Sequence, residues 1–223
     1  MIKRILILFA IAQLSMMGYS QTPKWAEKAK KAVFSVVTYD ANDKILNTGN
    51  GFFISEKGVA ISDYALFKNA QRAVIITSEG EKMPVKAILG ANDMYDVVKF
   101  SVDITSKKVA NLTLSETPMT DGTKLWLLPY STQKVRSLTS GNVNSVDKIS
   151  DYAYYTINLP LKEKMVSCPL MNDEGLVVAL AQKASGQDTA TICYGVDARF
   201  ANSQEITAIS YNDYALKQIG IKP

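Results

Sequence analysis

From residue 32 onward the chain runs in short stretches where apolar and polar positions alternate with the two-residue period of half-buried strands: 32–39, 51–55, 59–62, 73–77, 84–89 and 97–102. The breaks between them carry turn chemistry, as in Asp40-Ala41-Asn42-Asp43, Glu56-Lys57-Gly58, Ser78-Glu79-Gly80 and Gly90-Ala91-Asn92-Asp93. A polar stretch without clear period, 104–120, reads as a connection between two domains. A second strand series follows at 124–129, 137–146, 153–159, 176–181 and 189–196. Strands at near-regular spacing, with no long helical pattern between them, predict an all-β chain folded as two small barrels rather than one sandwich. The expected layout is a first barrel at about 32–103, a second at about 121–200 and a C-terminal segment at 201–223. Helical patterning is confined to 23–31, to a turn at 65–70 and to 202–219. There Asn202 and Ser203 offer helix starts, and the apolar positions are expected to pack on the second barrel or lead elsewhere.

Residues 1–20 have a different character. Lys3 and Arg4 precede an apolar run at 5–14, and Gly18 and Ser20 are small residues at the two positions a signal peptidase reads. The run breaks at Gln13 and Ser15, short of the ~20 apolar residues a membrane span needs. The expectation is an export signal cleaved after Ser20, a periplasmic or secreted chain beginning at Gln21, and no stable membrane anchor thereafter.

Composition narrows the chemistry. With 47% hydrophobic and 21% charged residues the chain can bury a substantial core. Its 25 Lys plus Arg, less Lys3 and Arg4, against 21 Asp plus Glu leave a balance of only +2, with no basic stripe, so nucleic acid is not an expected partner. The chain contains no histidine at all, which excludes His-based general bases, Ser-His-Asp and Cys-His arrangements and His-ligated metal sites. Neither a cofactor nor a metal is expected. Cys168 and Cys193, 25 residues apart, match no zinc or redox spacing and are either a disulfide or two buried thiols.

Three blocks carry a family resemblance. Thr48-Gly49-Asn50-Gly51-Phe52-Phe53-Ile54, then Glu56-Lys57-Gly58 and Val59-Ala60-Ile61-Ser62-Asp63-Tyr64-Ala65, resembles the first-barrel pattern of trypsin-like serine proteases of the HtrA/Deg kind. In that pattern G-x-G-F leads, after a turn, to T-N-x-H. Tyr95-Asp96-Val97-Val98 is similar to the aspartate block. Lys164-Met165-Val166-Ser167-Cys168-Pro169-Leu170, followed by Asp173-Glu174-Gly175, is similar to G-N-S-G-G-P-L and its turn glycine. The order is the one that chymotrypsin-type enzymes use. The resemblance spans 32 to about 200 and implies two six-stranded antiparallel barrels with short N- and C-terminal helices. It also implies that the triad positions fall on Ala65, Asp96 and Val166, and the oxyanion-hole glycine on Lys164.

The departures bear on activity. A serine hydroxyl becomes a nucleophile when an imidazole takes its proton, and the aspartate only orients that imidazole. Alanine at 65 and valine at 166 remove the base and the attacking oxygen, so the expected protein is a non-catalytic homologue, a protein- or peptide-binding module using the cleft between the barrels. Two other readings stay open: a hydrolase with an atypical Ser167-Lys arrangement drawing on Lys162 or Lys164, and a purely structural envelope domain whose cleft is filled by Tyr64, Phe67 or Met165. Ser167 follows the nucleophile position on an extended segment, so its side chain is expected to point the other way and fill space where the family has glycine.

Overall fold

The computed structural model describes residues 22–104, 108–183, 191–202, 208–220 and 222. The export signal read at 1–20, residues 189–190 of the last predicted strand and the helix start at Ser203 lie outside them. Six strands, β1 (Val33–Tyr39), β2 (Ile45–Phe53), β3 (Val59–Ser62), β4 (Arg72–Ile76), β5 (Lys82–Asn92) and β6 (Val97–Val102), form an antiparallel sheet in the order β5-β4-β1-β2-β3-β6, closed by pairing of β6 with β5. The second barrel is closed in the order β10-β11-β12-β9-β8-β7. Its strands are β7 (Lys124–Leu127), β8 (Thr139–Ile149), β9 (Tyr152–Asn158), β10 (Pro169–Met171), β11 (Val177–Lys183) and β12 (Cys193–Asp197). Both series fold as strands, but β2 begins at Ile45, well before its predicted start at 51, and β10 lies where no strand was predicted.

Alternation within strands also explains how two barrels share a third core. Phe34, Phe53, Ile75, Ile88 and Phe100 fill the first barrel, and Leu125, Tyr155, Ile157, Leu170 and Ala179 fill the second. Their oppositely directed neighbours meet between the barrels: Val33, Phe52, Ile61 and Val97 from one side, Trp126, Met171, Leu180 and Val196 from the other. Phe52 and Phe53 are successive residues in different cores. Gly51 precedes them because a Cβ there would lie 2.7 Å from the Phe34 ring and 2.8 Å from the Ile61 carbonyl oxygen.

The connecting stretch is ordered by both barrels, since Leu112 N–H donates to Phe53 O at 2.8 Å and Ser115 N–H to Val177 O at 2.7 Å. The predicted N-terminal helix is shorter than its pattern, α1 (Ala26–Ala29) followed by a 3-10 turn at Lys30–Ala32. It docks on the second barrel, where Trp25 Nε1 donates to Asp173 O at 3.0 Å and Lys30 Nζ to Gln133 O at 2.6 Å. The C-terminal segment takes the second of its two expected courses and leaves the second barrel. After a 3-10 turn at Ala198–Asn202 it returns to the first barrel, adding β13 (Ile209–Ser210) to β5 and packing α2 (Tyr211–Gln218) through Tyr211, Tyr214 and Ala215. Tyr214 donates to Phe67 O at 3.1 Å, which ties α2 to the turn that bears Ala65.

Cys168 and Cys193 share the second-barrel core but are free thiols, so the disulfide alternative is not formed. Burial pushes each thiol up to about 12. The native protein should resist alkylation at pH 8, take up two alkyl groups once unfolded, and show no mass difference with or without reductant. Intact-mass measurement checks this.

Candidate functional site

The three sequence blocks converge where the barrels meet. Ala65 sits in the 3-10 turn Tyr64–Phe67 that β3 feeds, and its side is exposed to solvent. Asp96 lies just before β6, with φ at 52°, a left-handed conformation that aspartate tolerates. Its Oδ1 accepts the Ala65 backbone N–H at 2.6 Å, and its carbonyl accepts the Tyr64 N–H at 3.3 Å. Two of the predicted positions are therefore in direct contact. Burial raises the Asp96 pKa, while the Ala65 N–H and the Lys68 charge oppose the rise.

Across the junction, Val166 ends a 3-10 turn at Glu163–Met165. Its N–H donates to Glu163 O at 3.2 Å and the Met165 N–H to Lys162 O at 2.8 Å, so the segment is folded on itself. Asn50, between the two motif glycines of β2, holds it from the first barrel. Its Nδ2 donates to Lys164 O at 3.0 Å and to Val166 O at 2.7 Å, while its own carbonyl accepts from Ser62 Oγ at 2.6 Å. The sequence reading passed over Asn50; its signal is a polar residue within an apolar strand end, only 5% exposed.

Asp63 was also missed. Its side chain is 4% exposed, and burial, with some repulsion from Asp96, lifts its pKa up to about 8. Ser167 and Gln182 lie beside it and moderate the rise. Even so, Asp63 Oδ1 and the Ser167 hydroxyl lack hydrogen-bond partners of good geometry. Gln182 in turn donates to Tyr95 O at 3.0 Å and to Asp96 O at 3.4 Å, linking the second barrel to the aspartate loop.

Ser167 has φ at 65°, the left-handed region that favours glycine, which fits a family pattern with glycine at this place. As expected, it is buried rather than displayed toward solvent. The ionisable group beside it is Asp63 rather than a lysine. The nearby Lys183 pairs instead with Glu163 at 3.4 Å. Downstream, the predicted turn glycine, Gly175, has φ at 81° and packs under the Trp25 ring.

The family of this fold can now be stated. The sequence profile of the trypsin-like peptidase domain matches residues 49–180, more than half of the chain. The chain belongs to the trypsin-like peptidase family. Among solved structures, the serine endoprotease from Yersinia pestis superposes with a TM-score of 0.63 at 15% identity. The match covers 78% of this chain and 61% of that one, so this chain spans less than two thirds of the endoprotease, and the likeness is one of fold. No curated protein sequence matches. Within this family member, a cavity of about 330 Å³ lined by Phe53, Met83, Ile104 and Val109 and another of about 650 Å³ around residues 129–138 lie away from the junction. Neither includes Ala65, Asp96 or Val166.

Proposed function

We propose that this trypsin-like peptidase family member is an exported, non-catalytic homologue that binds peptide or unfolded protein along the junction between its barrels, in the periplasm or outside the cell. One observation carries the reading: the Asp96 carboxyl, whose family role is to orient an imidazole, meets at position 65 only a backbone N–H, at 2.6 Å, in a chain with no histidine. Asp96 then acts as a structural acceptor that fixes the turn bearing Ala65. The folded-back turn at 163–166 adds support, because the Val166 N–H that would face a developing oxyanion instead serves Glu163 O. Loss of chemistry leaves the groove in place, since an extended peptide is held by main-chain bonds and side-chain pockets rather than by a triad. The atypical Ser167-Lys hydrolase finds no support in a hydroxyl buried against an acid. The structural-domain reading is tested together with the groove. Amide-shift mapping of the labelled protein with unfolded peptides should move Ala65, Asp96, Lys164 and Val166, and Val166→Arg should weaken binding by roughly tenfold. If no junction residue responds, or Val166→Arg changes nothing, the groove has no such role and the domain is structural.

A further inference from the structure

Two side-chain amides tie the barrels together near Asp63. Asn50 Nδ2 of the first barrel donates to Lys164 O at 3.0 Å and Val166 O at 2.7 Å, and Gln182 Nε2 of the second donates to Tyr95 O at 3.0 Å and Asp96 O at 3.4 Å. Asp63 follows β3 and is 4% exposed, with Ser167 and Gln182 of the second barrel and Asp96 of its own barrel beside it. The Cys168 thiol also feels its charge. The lysines of this region are engaged elsewhere or in solvent: Lys68 is bonded to Asp93, Lys183 pairs with Glu163 at 3.4 Å, and Lys162 and Lys164 are exposed. Asp63 Oδ1 and the Ser167 hydroxyl, both buried, have no hydrogen-bond partner. A carboxylate here is thus enclosed without a countercharge, at a cost that the neutral acid escapes.

We infer that Asp63 is a pH-operated latch of the barrel junction: with its proton the segment 163–167 stays seated against the first barrel, and loss of the proton unseats that segment while both barrels stay folded. The segment is suited to a second position. Apart from the Asn50 bonds, its backbone is held by the Ser167 N–H on Ala181 O at 2.9 Å and by short-range bonds such as Met165 N–H to Lys162 O at 2.8 Å and Cys168 N–H to Met165 O at 3.3 Å. Ser167 is seated with φ at 65°, which a serine adopts at a cost that unseating relieves. Unseating also lets water reach the carboxylate. The sign follows from the burial of Asp63. Seated, it keeps its proton up to about 8, whereas hydrated it ionises near 3.8. Between those values each pH unit favours the unseated form by about tenfold, and the gain levels off above 8. Asp96 repels the new charge and works in the same direction, while Cys168 keeps its proton throughout. The latch needs no bound peptide.

The test is hydrogen exchange of the full chain, read by mass spectrometry at pH 6, 7, 8 and 9, with labelling times scaled to the intrinsic exchange rate at each pH. Protection of the amides at 164–168 should fall about a hundredfold from pH 6 to pH 8 and change little from there to pH 9. At pH 9 the amides of β1 and β12 should remain better protected than these by about tenfold or more, which marks the opening as local. Asp63→Asn should abolish the fall. Asn50→Ala, which cuts a tie that does not titrate, should lower protection at 164–168 several-fold at every pH without changing its slope. Three results overturn the latch: protection at 164–168 that does not respond to pH, a response that survives Asp63→Asn, or exchange at 164–168 no faster than in β1 and β12 at pH 9, which would mean that Asp63 is felt only through global unfolding.

Discussion

Between pH 6 and pH 9 the protein should lose folding stability, and Asp63→Asn should remove most of that loss. The sign follows from burial. In the unfolded chain Asp63 ionises near 3.8, whereas in the fold it keeps its proton up to about 8. Across that window the native state binds the extra proton, so stability is fully present below 3.8 and declines as pH rises through 8. The loss over the whole span is at most about 6 kcal/mol, and roughly half of it is already incurred by pH 6. The two thiols stay protonated throughout, since burial pushes both up to about 12. Asparagine, the residue of the T-N-x-H pattern at this position, keeps the shape and supplies an N–H to the lone Ser167 hydroxyl without a charge to bury. Urea unfolding at pH 6 and pH 9 should show a falling midpoint for the native sequence and a nearly constant one for Asp63→Asn. Parallel midpoints in the two proteins would show that Asp63 is not the buried acid described.

The second large effect is a failure to regain activity. Installing His at 65 and Ser at 166 together should leave hydrolysis of casein and ester substrates below that of an intact triad enzyme by on the order of 10⁴ or more. The triad residues alone do not rebuild the site. In this fold the Val166 N–H remains bonded to Glu163 O at 3.2 Å, Lys164 stands in place of the oxyanion glycine, and Asn50 fixes both of their carbonyls. Efficient turnover by the double variant would mean that the 163–166 turn refolds readily, and that the geometry described here is not what withholds catalysis.

Much of this fold is written in local pattern. β6 alternates between buried and half-buried positions over most of its length, and β1, buried for most of its length, stops at the Asp40–Asp43 turn, so the limits of both are legible within a residue or so. β10 escaped because Pro169, Leu170 and Met171 are buried on both faces and only three residues long, which leaves no alternation to detect. β5 runs past its predicted ends, with register shifts between Val85 and Ala87 and between Ile88 and Gly90 that break its period. The destination of α2 was illegible for another reason: helical spacing says which face is apolar, not which barrel receives it. The same holds for the site. Motif order located Ala65, Asp96 and Val166, whereas the weight carried by Asp63 and Asn50 depends on groups from the opposite barrel, Ser167 and Gln182 for the acid and the 164–166 carbonyls for the amide. Burial of a polar side chain by a partner far along the chain leaves no local trace.

The central expectation is a trypsin-like fold without a working nucleophile. Intact-mass measurement of the purified native chain after incubation with a fluorophosphonate probe tests this directly. The expected spectrum shows the unmodified mass alone, because Val166 has no oxygen and the Ser167 hydroxyl is 1% exposed beside an acid that holds its proton. A stoichiometric adduct that is lost in Ser167→Ala would contradict it, and would identify this chain as a serine hydrolase of a different design.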